Sequence, residues 1–338
     1  MIEAIGKLVR GESLTEAGAA TAMESIMNGD ATPIQIAGFI VALRMKGETA
    51  DELTGLARSA RAHATPIAAG DGLLDTCGTG GDGTGTFNIS TLSAVVAAAC
   101  GARVAKHGNR AASSVCGSAD VLEALGVRID LAPEGVARCI ADAGIGFLFA
   151  PLFHPSFRFA SAPRRELGVR TVFNVLGPLC NPAGASRQAL GVADGRLAST
   201  MADVLGRLGV ERALVFHGDD GMDELTTVGP SQVIEVFGGE RKTYALDPTE
   251  LGLPRATAAA VRGGGVAENA AIARQLLAGA PGPRRDILLL NAAAALRAAG
   301  LAGDWREGLG LAAEAIDRGR AGEVLERWIS VSQAVAVA

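Results

Sequence analysis

Between Asp75 and Thr91 the chain crowds five glycines (Gly78, Gly80, Gly81, Gly83 and Gly85) among small hydroxyl residues and one loop carboxylate, Asp82. Glycine at that density lets the backbone take positive φ and turn its N–H groups onto a ligand. Thr79, Thr84, Thr86, Ser90 and Thr91 add donors. Ser90-Thr91 falls where the spacing predicts a helix start, whose free N–H groups and positive dipole end favour an anion. The chemistry implied is a cradle for phosphate or pyrophosphate. Gly78-Thr-Gly80-Gly-Asp-Gly83 also fits the dinucleotide pattern G-x-G-x-x-G, which needs a ribose-binding acid about 20 residues on. Val104-Ala-Lys106-His107-Gly-Asn-Arg110 stands there instead, without a carboxylate, and no G-x-x-x-x-G-K-[ST] occurs. Asp82 would repel a bare pyrophosphate, so it points to a shared cation or a sugar hydroxyl.

Three further stretches carry chemistry. Lys106-His-Gly-Asn-Arg-Ala-Ala-Ser-Ser114 gathers cations, an amide and hydroxyls after a predicted strand, where open α/β sheets bind ligands. Cys116-Gly117-Ser118 opens another helix. His217-Gly-Asp-Asp-Gly-Met-Asp-Glu224 places four carboxylates after a later strand. It is either an acidic turn capping the next helix or, through Asp223 and Glu224, a Mg²⁺ site completed by phosphate oxygens and water. Phe153 to Arg165 holds three arginines and three phenylalanines, a composition that suits a small aromatic acid or a charged surface. Asn174-Val-Leu-Gly-Pro178 and Cys180-Asn-Pro182 read as a rigid turn and a hinge.

The elements that position these groups are legible from periodicity. Residues 1–64 read as four short helices started by capping boxes at Ser13-x-x-Glu16, Thr32-Pro33-x-Gln35 and Thr49-x-x-Glu52. From about residue 70, strands (Leu73–Cys77, Val104–Lys106, Phe147–Ala150, Ala189–Ala193, Ala213–His217) alternate with helices (Thr91–Cys100, Ala119–Leu125, Pro133–Asp142, Leu197–Leu208), which predicts a mainly parallel sheet. Val233–Phe237 and Arg241–Ala245 form a hairpin through Gly238-Gly239, and Ala267 to Ser332 returns to helices.

A net charge of −5 argues against a broad nucleic-acid surface, and scattered, odd-numbered cysteines without C-x-x-C argue for reduced thiols and no zinc. No signal peptide or uninterrupted membrane-length apolar run is found, so a soluble cytoplasmic protein is expected, without membrane or nucleic-acid partners.

Taken in order, Asp75-Thr-Cys-Gly-Thr-Gly-Gly-Asp82, Asn88-Ile-Ser-Thr91, Lys106-His-Gly-Asn-Arg110, Gly117-Ser-Ala-Asp120, Arg164-Arg-Glu-Leu-Gly168, Asn174-Val-Leu-Gly-Pro178, Asn181-Pro182 and Asp220-Gly-Met-Asp-Glu224 resemble the anthranilate phosphoribosyltransferase family across nearly the whole chain. Cys116 and Met222 depart from the serine and leucine more usual there. The resemblance implies transfer of phosphoribose from phosphoribosyl pyrophosphate (PRPP) to the amine of anthranilate, with Mg²⁺ as cofactor, two ions being expected. It implies a nucleoside-phosphorylase-like fold: an all-helical domain, 1–68 with a contribution from about 163–183, and a larger α/β domain, 69–162 and 184–338. A homodimer joined through the helical domain is implied as well. PRPP contacts are implied for Gly78, Gly81, Asp82, Thr86, Asn88, Ile89, Ser90, Thr91, Lys106, His107, Gly108, Asn109, Arg110, Ala111, Ala112, Ser113, Ser114 and Ser118. Gly78, Asn109 and Arg164 match anthranilate contacts, and Ser90, Asp223 and Glu224 the metal ligands. No general base is assigned, His107 included. Two rivals are a pyrimidine-nucleoside phosphorylase of the same fold and a non-catalytic nucleic-acid-binding relative. The intact Asp223-Glu224 pair speaks against the first, the retained glycine loop and acidic balance against the second.

Overall fold

Side-chain chemistry sets the helix starts of the first 64 residues. The computed structural model describes residues 1–111 and 115–335 and opens with α1 (Ile2–Val9), α2 (Glu16–Met27), α3 (Pro33–Lys46) and α4 (Ala50–Ala62). Thr32 and Thr49 each accept from the N–H three residues on, while Gln35 and Glu52 accept from the cap N–H, so both capping boxes form. The box expected at Ser13 does not. Thr15 caps α2, accepting from the Gly18 N–H at 3.1 Å. Buried Glu52 holds the Leu14 N–H at 2.9 Å, Glu16 pairs with Arg58, and Ser13 Oγ accepts from Lys46 Nζ at 3.2 Å. Both side chains that a Ser13 box would need are thus engaged elsewhere.

The remaining chain alternates as its periodicity predicts. In order come β1 (Leu74–Gly78), α5 (Ile89–Ala99), β2 (Val104–Gly108), α6 (Ser118–Leu125), α7 (Pro133–Ala143) and β3 (Ile145–Phe149). After α8 (Ala150–Phe153), α9 (Arg158–Leu167) and α10 (Phe173–Leu176) come β4 (Arg187–Gly191), α11 (Gly195–Arg207), β5 (Arg212–Gly218), β6 (Ser231–Phe237) and β7 (Glu240–Leu246). Helices α12 (Val266–Leu277), α13 (Pro283–Ala299), α14 (Trp305–Asp317) and α15 (Arg320–Val335) follow. The sheet order is β3-β2-β1-β4-β5-β6-β7. The first five strands run parallel, and β6 and β7 add an antiparallel edge through the Gly238-Gly239 turn, both glycines at positive φ.

Alternation along the strands divides two cores. Ala189, Leu214, Phe216 and Val233 face α5 and α13, while Leu190, Val192, Ala213, Val215 and Ile234 face α11 and the N-terminal bundle. Every residue of α13 from Ile287 to Ala299 is buried, as expected of a helix apolar on all sides. The prolines at 151, 155 and 163 hide the helical character of the 150–182 segment in the sequence. There α9 tolerates Pro163 within it, and α3 and α2 pack against α9. The acidic stretch after β5 caps no helix, because the chain runs on into β6. Cys77, Cys100, Cys139 and Cys180 carry free thiols. Among the described residues no helix is long and apolar enough to cross a membrane.

Helices α2 and α4 meet at Gly55, where a Cβ would run into the backbone carbonyl of Glu16. Gly55→Ala gains about 1 kcal/mol of helix propensity, but overpacking against an unyielding backbone costs about 1–3 kcal/mol. The variant should therefore unfold at lower denaturant than the parent; an unchanged or higher midpoint would show that the two helices can separate freely.

Candidate active site

Strand connections diverge at β1 and β4: β1 leads to β2 on one side, and β4 leads to β5 on the other. The loops leaving their carboxyl ends part and open a crevice, the usual ligand position in such sheets. Gly78 ends β1 and pairs in register with Gly191 at the end of β4. A Cβ on Gly78 would strike the Asp223 carboxylate, and one on Gly191 the Asp223 carbonyl. Two strand ends without side chains thus let the loop after β5 lay Asp223 across the crevice. Its Oδ2 accepts from the Gly80 N–H at 2.6 Å. Asp82 folds inward, accepting from the Thr84 N–H at 3.2 Å and hydroxyl at 2.6 Å.

Below this lies a buried charge cluster. Lys106, on β2, donates to the Thr76 carbonyl at 2.6 Å and reaches Ser90 Oγ at 3.5 Å. Burial lowers its pKa, opposed by Asp75 and Glu224. Burial raises the carboxyl of Asp75, which Asn181 Nδ2 at 2.8 Å and the His107 N–H at 3.1 Å hold in place. Glu224 accepts from the Ser90 N–H in the first turn of α5 at 3.0 Å. Burial, then Asp223, push it well above the carboxylate range. Burial, then Asp82, push Asp223 to about 7. Asp75 and Glu224 therefore flank the buried Lys106 ammonium, and Asp223 and Asp82 extend the acidic cluster beyond Glu224 towards Arg170.

His107 and His154 are buried beside each other, ring centroids 5.0 Å apart. His107 Nδ1 lies 3.2 Å from the Gly177 carbonyl, an acceptor only, so Nδ1 carries the proton and Nε2 is left without a partner. Burial, reinforced by His154, holds His107 down to about 3, and burial holds His154 at about 4. Both are neutral at pH 7, so neither is an imidazolium able to act as a general acid there.

The opposite wall rests on α6 and α12. Asp120 accepts from the N–H groups of Ala111 at 3.0 Å and Gly117 at 2.9 Å, and Ser118 Oγ donates to the Asn109 carbonyl at 3.2 Å. Asn269 Nδ2 donates to Asn88 Oδ1 at 3.0 Å, fixing the turn into α5. Arg110 pairs with Asp120 and Glu123 and spends its charge there.

Gly78, Gly81, Asp82, Thr86, Asn88, Ile89, Ser90, Thr91, Lys106, His107, Gly108, Asn109, Arg110, Ala111 and Ser118 all line one cavity of about 320 Å³ with Asp223 and Glu224. Ala112, Ser113 and Ser114 lie outside the described residues. Arg164 lines a different, adjoining cavity of about 530 Å³, its guanidinium 5.1 Å above the Phe173 ring and its pKa lowered by burial. The two cavities share Gly81, Arg170 and Asn174. Thr79, expected as a cradle donor, lines the first cavity, and Arg170 and Asn174 are site residues that the sequence reading missed as such. For Arg170 the one available signal was a third arginine shortly after Arg164-Arg165.

The donor set fits Mg²⁺. Asp223, Glu224 and Ser90 offer oxygens beside unneutralised negative charge, yet among the described residues no three His, Cys, Asp or Glu side chains converge as a metal cage. Mg²⁺ characteristically takes one or two carboxylates and completes its shell with phosphate oxygens and water.

Two family models match the chain: "Glycosyl transferase family, helical bundle domain" over residues 2–64 and "Glycosyl transferase family, a/b domain" over residues 70–322. The chain is 60% identical over 320 residues to anthranilate phosphoribosyltransferase 2 of Streptomyces coelicolor, covering 94% of this chain and 96% of that one. The crystal structure of anthranilate phosphoribosyltransferase from Thermus thermophilus superposes with a TM-score of 0.93 at 48% identity, covering 98% of this chain and 99% of that one. The Saccharomyces cerevisiae enzyme in complex with PRPP and Mg superposes with a TM-score of 0.90 at 28% identity, covering 98% of each chain.

The cluster should leave a pH signature in the ligand-free protein. Asp223 keeps its proton up to about 7 when folded but loses it in the ordinary carboxylate range when unfolded, so stability falls as pH rises towards 7. His107 and His154 act oppositely: unfolded they bind protons below about 6.5, folded only near 3 and 4, so stability falls as pH drops below about 6.5. Between about 4 and 6.5 the two effects oppose each other, and Glu224 and Asp75, raised likewise, add to that of Asp223. Asp223→Asn removes one falling contribution, so its melting temperature should rise relative to the parent's as pH goes from about 4 to 7; a constant difference across that range would contradict this account.

Proposed function

This chain belongs to the anthranilate phosphoribosyltransferase family, and we propose that the family's reaction runs in the crevice between β1, β4 and the Asp223 loop. The enzyme is a pentosyltransferase that moves the 5-phosphoribosyl group of PRPP onto the amine of anthranilate. It releases pyrophosphate and yields N-(5-phosphoribosyl)anthranilate, the second step from chorismate to tryptophan. The observation that carries the placement is Asp223, laid across Gly78 and Gly191 against the glycine loop, with Glu224 held on the first turn of α5.

In this reading the amine lone pair attacks the anomeric carbon as the bond to pyrophosphate breaks. The leaving group takes the bonding electrons, the nitrogen then sheds one proton, and the transition state has oxocarbenium character. An arylamine is neutral at pH 7, so no side chain is assigned as general base. The loop N–H groups and Lys106 oppose charge on the donor's phosphates. Asp223, Glu224 and Ser90 would hold Mg²⁺, proposed as two ions, which when bound would add to the neutralisation of the departing pyrophosphate. Asn109 and the Gly78 backbone are proposed to face anthranilate. Arg164 is proposed to hold its carboxylate from the neighbouring cavity, a role supported by its half-buried guanidinium beside Phe173 and the shared Gly81 wall.

We also propose that 1–68, with about 163–183, forms one unit and 69–162 with 184–338 the other. Supporting this, Val172, Phe173 and Leu176 share a core with α1 to α4. That first unit is proposed to join two chains. Ile34 and Met45 on α3 are 85% and 83% exposed, and their spacing of about three turns puts them on one face. Ile2 and Val9 on α1 are exposed similarly. Sedimentation should give a dimer that the paired change Ile34→Glu, Met45→Glu reduces to a monomer; an unaltered dimer mass would move the interface elsewhere.

Incubation with PRPP and Mg²⁺, plus either anthranilate or phosphate and thymidine, tests the function itself. Pyrophosphate release should require anthranilate, and turnover of thymidine with phosphate would favour a phosphorylase. In the same assay Arg164→Ala should raise KM for anthranilate about 10- to 100-fold, the range for losing a charged hydrogen bond, with KM for PRPP nearly unchanged. Equal effects on both substrates would remove Arg164 from the anthranilate site.

A further inference from the structure

Arg170 lies in the short segment between α9 and α10, outside the glycine loop, yet its side chain lines the crevice and touches that loop on the face away from Asp223. Its Nη1 donates to the Gly80 carbonyl, and Nη2 makes a longer contact with the Thr79 carbonyl at 3.4 Å. The same guanidinium fills the space a Cβ on Gly81 would need. In a planar trans peptide the N–H points opposite to the C=O. Turning the Thr79 carbonyl to Arg170 therefore turns the Gly80 N–H the other way, and there it meets Asp223 Oδ2 at 2.6 Å. The Gly80 carbonyl turned to Arg170 likewise aims the Gly81 N–H away from the arginine, and Gly81 lines the crevice. Glycines 80 and 81 both sit at positive φ, where flanking peptides flip easily, so something must choose between their two orientations.

The geometry points to Arg170 as that choice. We propose that Arg170 is a positioning residue that locks two successive glycine-loop peptides with their carbonyls towards itself and their N–H groups away from it, one donor for Asp223 and one for the pyrophosphate of the substrate. The inference rests on the reaction proposed above. A positive charge on the carbonyl side also polarises both peptides and strengthens the donors on the far side. Arg170 belongs to the chain segment that carries Arg164 and borders the cavities of both residues. Its action is nonetheless on the phosphate side, because its hydrogen bonds go to the loop and none goes to Arg164 or its neighbours.

Calorimetric titration with pyrophosphate and Mg²⁺, beside steady-state kinetics, tests this. Arg170 is half-buried, so Arg170→Ala should fold with a melting temperature near the parent's. It should weaken pyrophosphate binding and raise KM for PRPP about 10- to 100-fold, while KM for anthranilate moves less than about threefold. Arg170→Lys keeps the charge but not the two-pronged reach, and should fall between. Unchanged pyrophosphate binding would overturn the proposal. So would an anthranilate KM that rises as far as that for PRPP, or a collapse of every constant together with the melting temperature. Should the parent enzyme release no pyrophosphate with anthranilate, the functional reading fails, while the titration still reports on the loop.

Discussion

Asp223 can occupy the crevice only because two neighbouring strands end without side chains. Gly78 and Gly191 are adjacent by sheet register, and a methyl group on either would collide with Asp223. Everything around the site depends on that clearance. With Asp223 in place its carboxylate orients the Gly80 N–H, its backbone approaches Asp82, and Glu224 beside it reaches the first turn of α5. The steric gap sits at the sheet's topological switch point, where loops already separate, so fold and site make the same demand on the same two residues.

That clearance is used to bring charges together against their own interest. Burying an ion costs several kcal/mol, and here Lys106 offsets only part of the charge of Asp75 and Glu224, and Arg170 only part of that of Asp223. The ligand-free site lowers this cost by keeping protons: Asp223 and Glu224 both bind them more tightly than free carboxylates do. A site of this kind is destabilised until cations and phosphate arrive together, so binding energy and charge compensation are one quantity. The buried histidine pair obeys the same rule with opposite sign, staying neutral because burial penalises the imidazolium more than the backbone at Gly177 and Cys180 favours it.

Much of this was legible in the sequence, and what was not has physical causes. Strands and helices with clean period or clear caps, such as β1, β2, α3 and the β6–β7 hairpin, stand close to where their patterns put them. The glycine loop, Lys106 to Ala111, Ser118 and the Asp223-Glu224 pair announced themselves by residue type at strand ends, and the fold gathers them in one cavity. The Ser13 box failed because its two side chains were claimed by Arg58 and Lys46, contacts across 42 and 33 residues that no local pattern contains. Helix α9 was hidden by prolines. Arg170 was invisible for a deeper reason: its role lies in backbone carbonyls some 90 residues away, and a carbonyl has no letter in the sequence.

The pairing of Gly78 with Gly191 has a consequence for how the protein comes into being. More than a hundred residues separate the two glycines, and the Asp223 that spans them is made later still. A ribosome delivering this chain exposes the glycine loop early, but the loop has no Asp223 to orient it until β5 has emerged and docked. Closing so distant a pair is entropically slow compared with forming the N-terminal helices. The nascent chain can therefore fold its bundle while remaining unable to grip its donor, and competence arrives in one late step with the centre of the sheet.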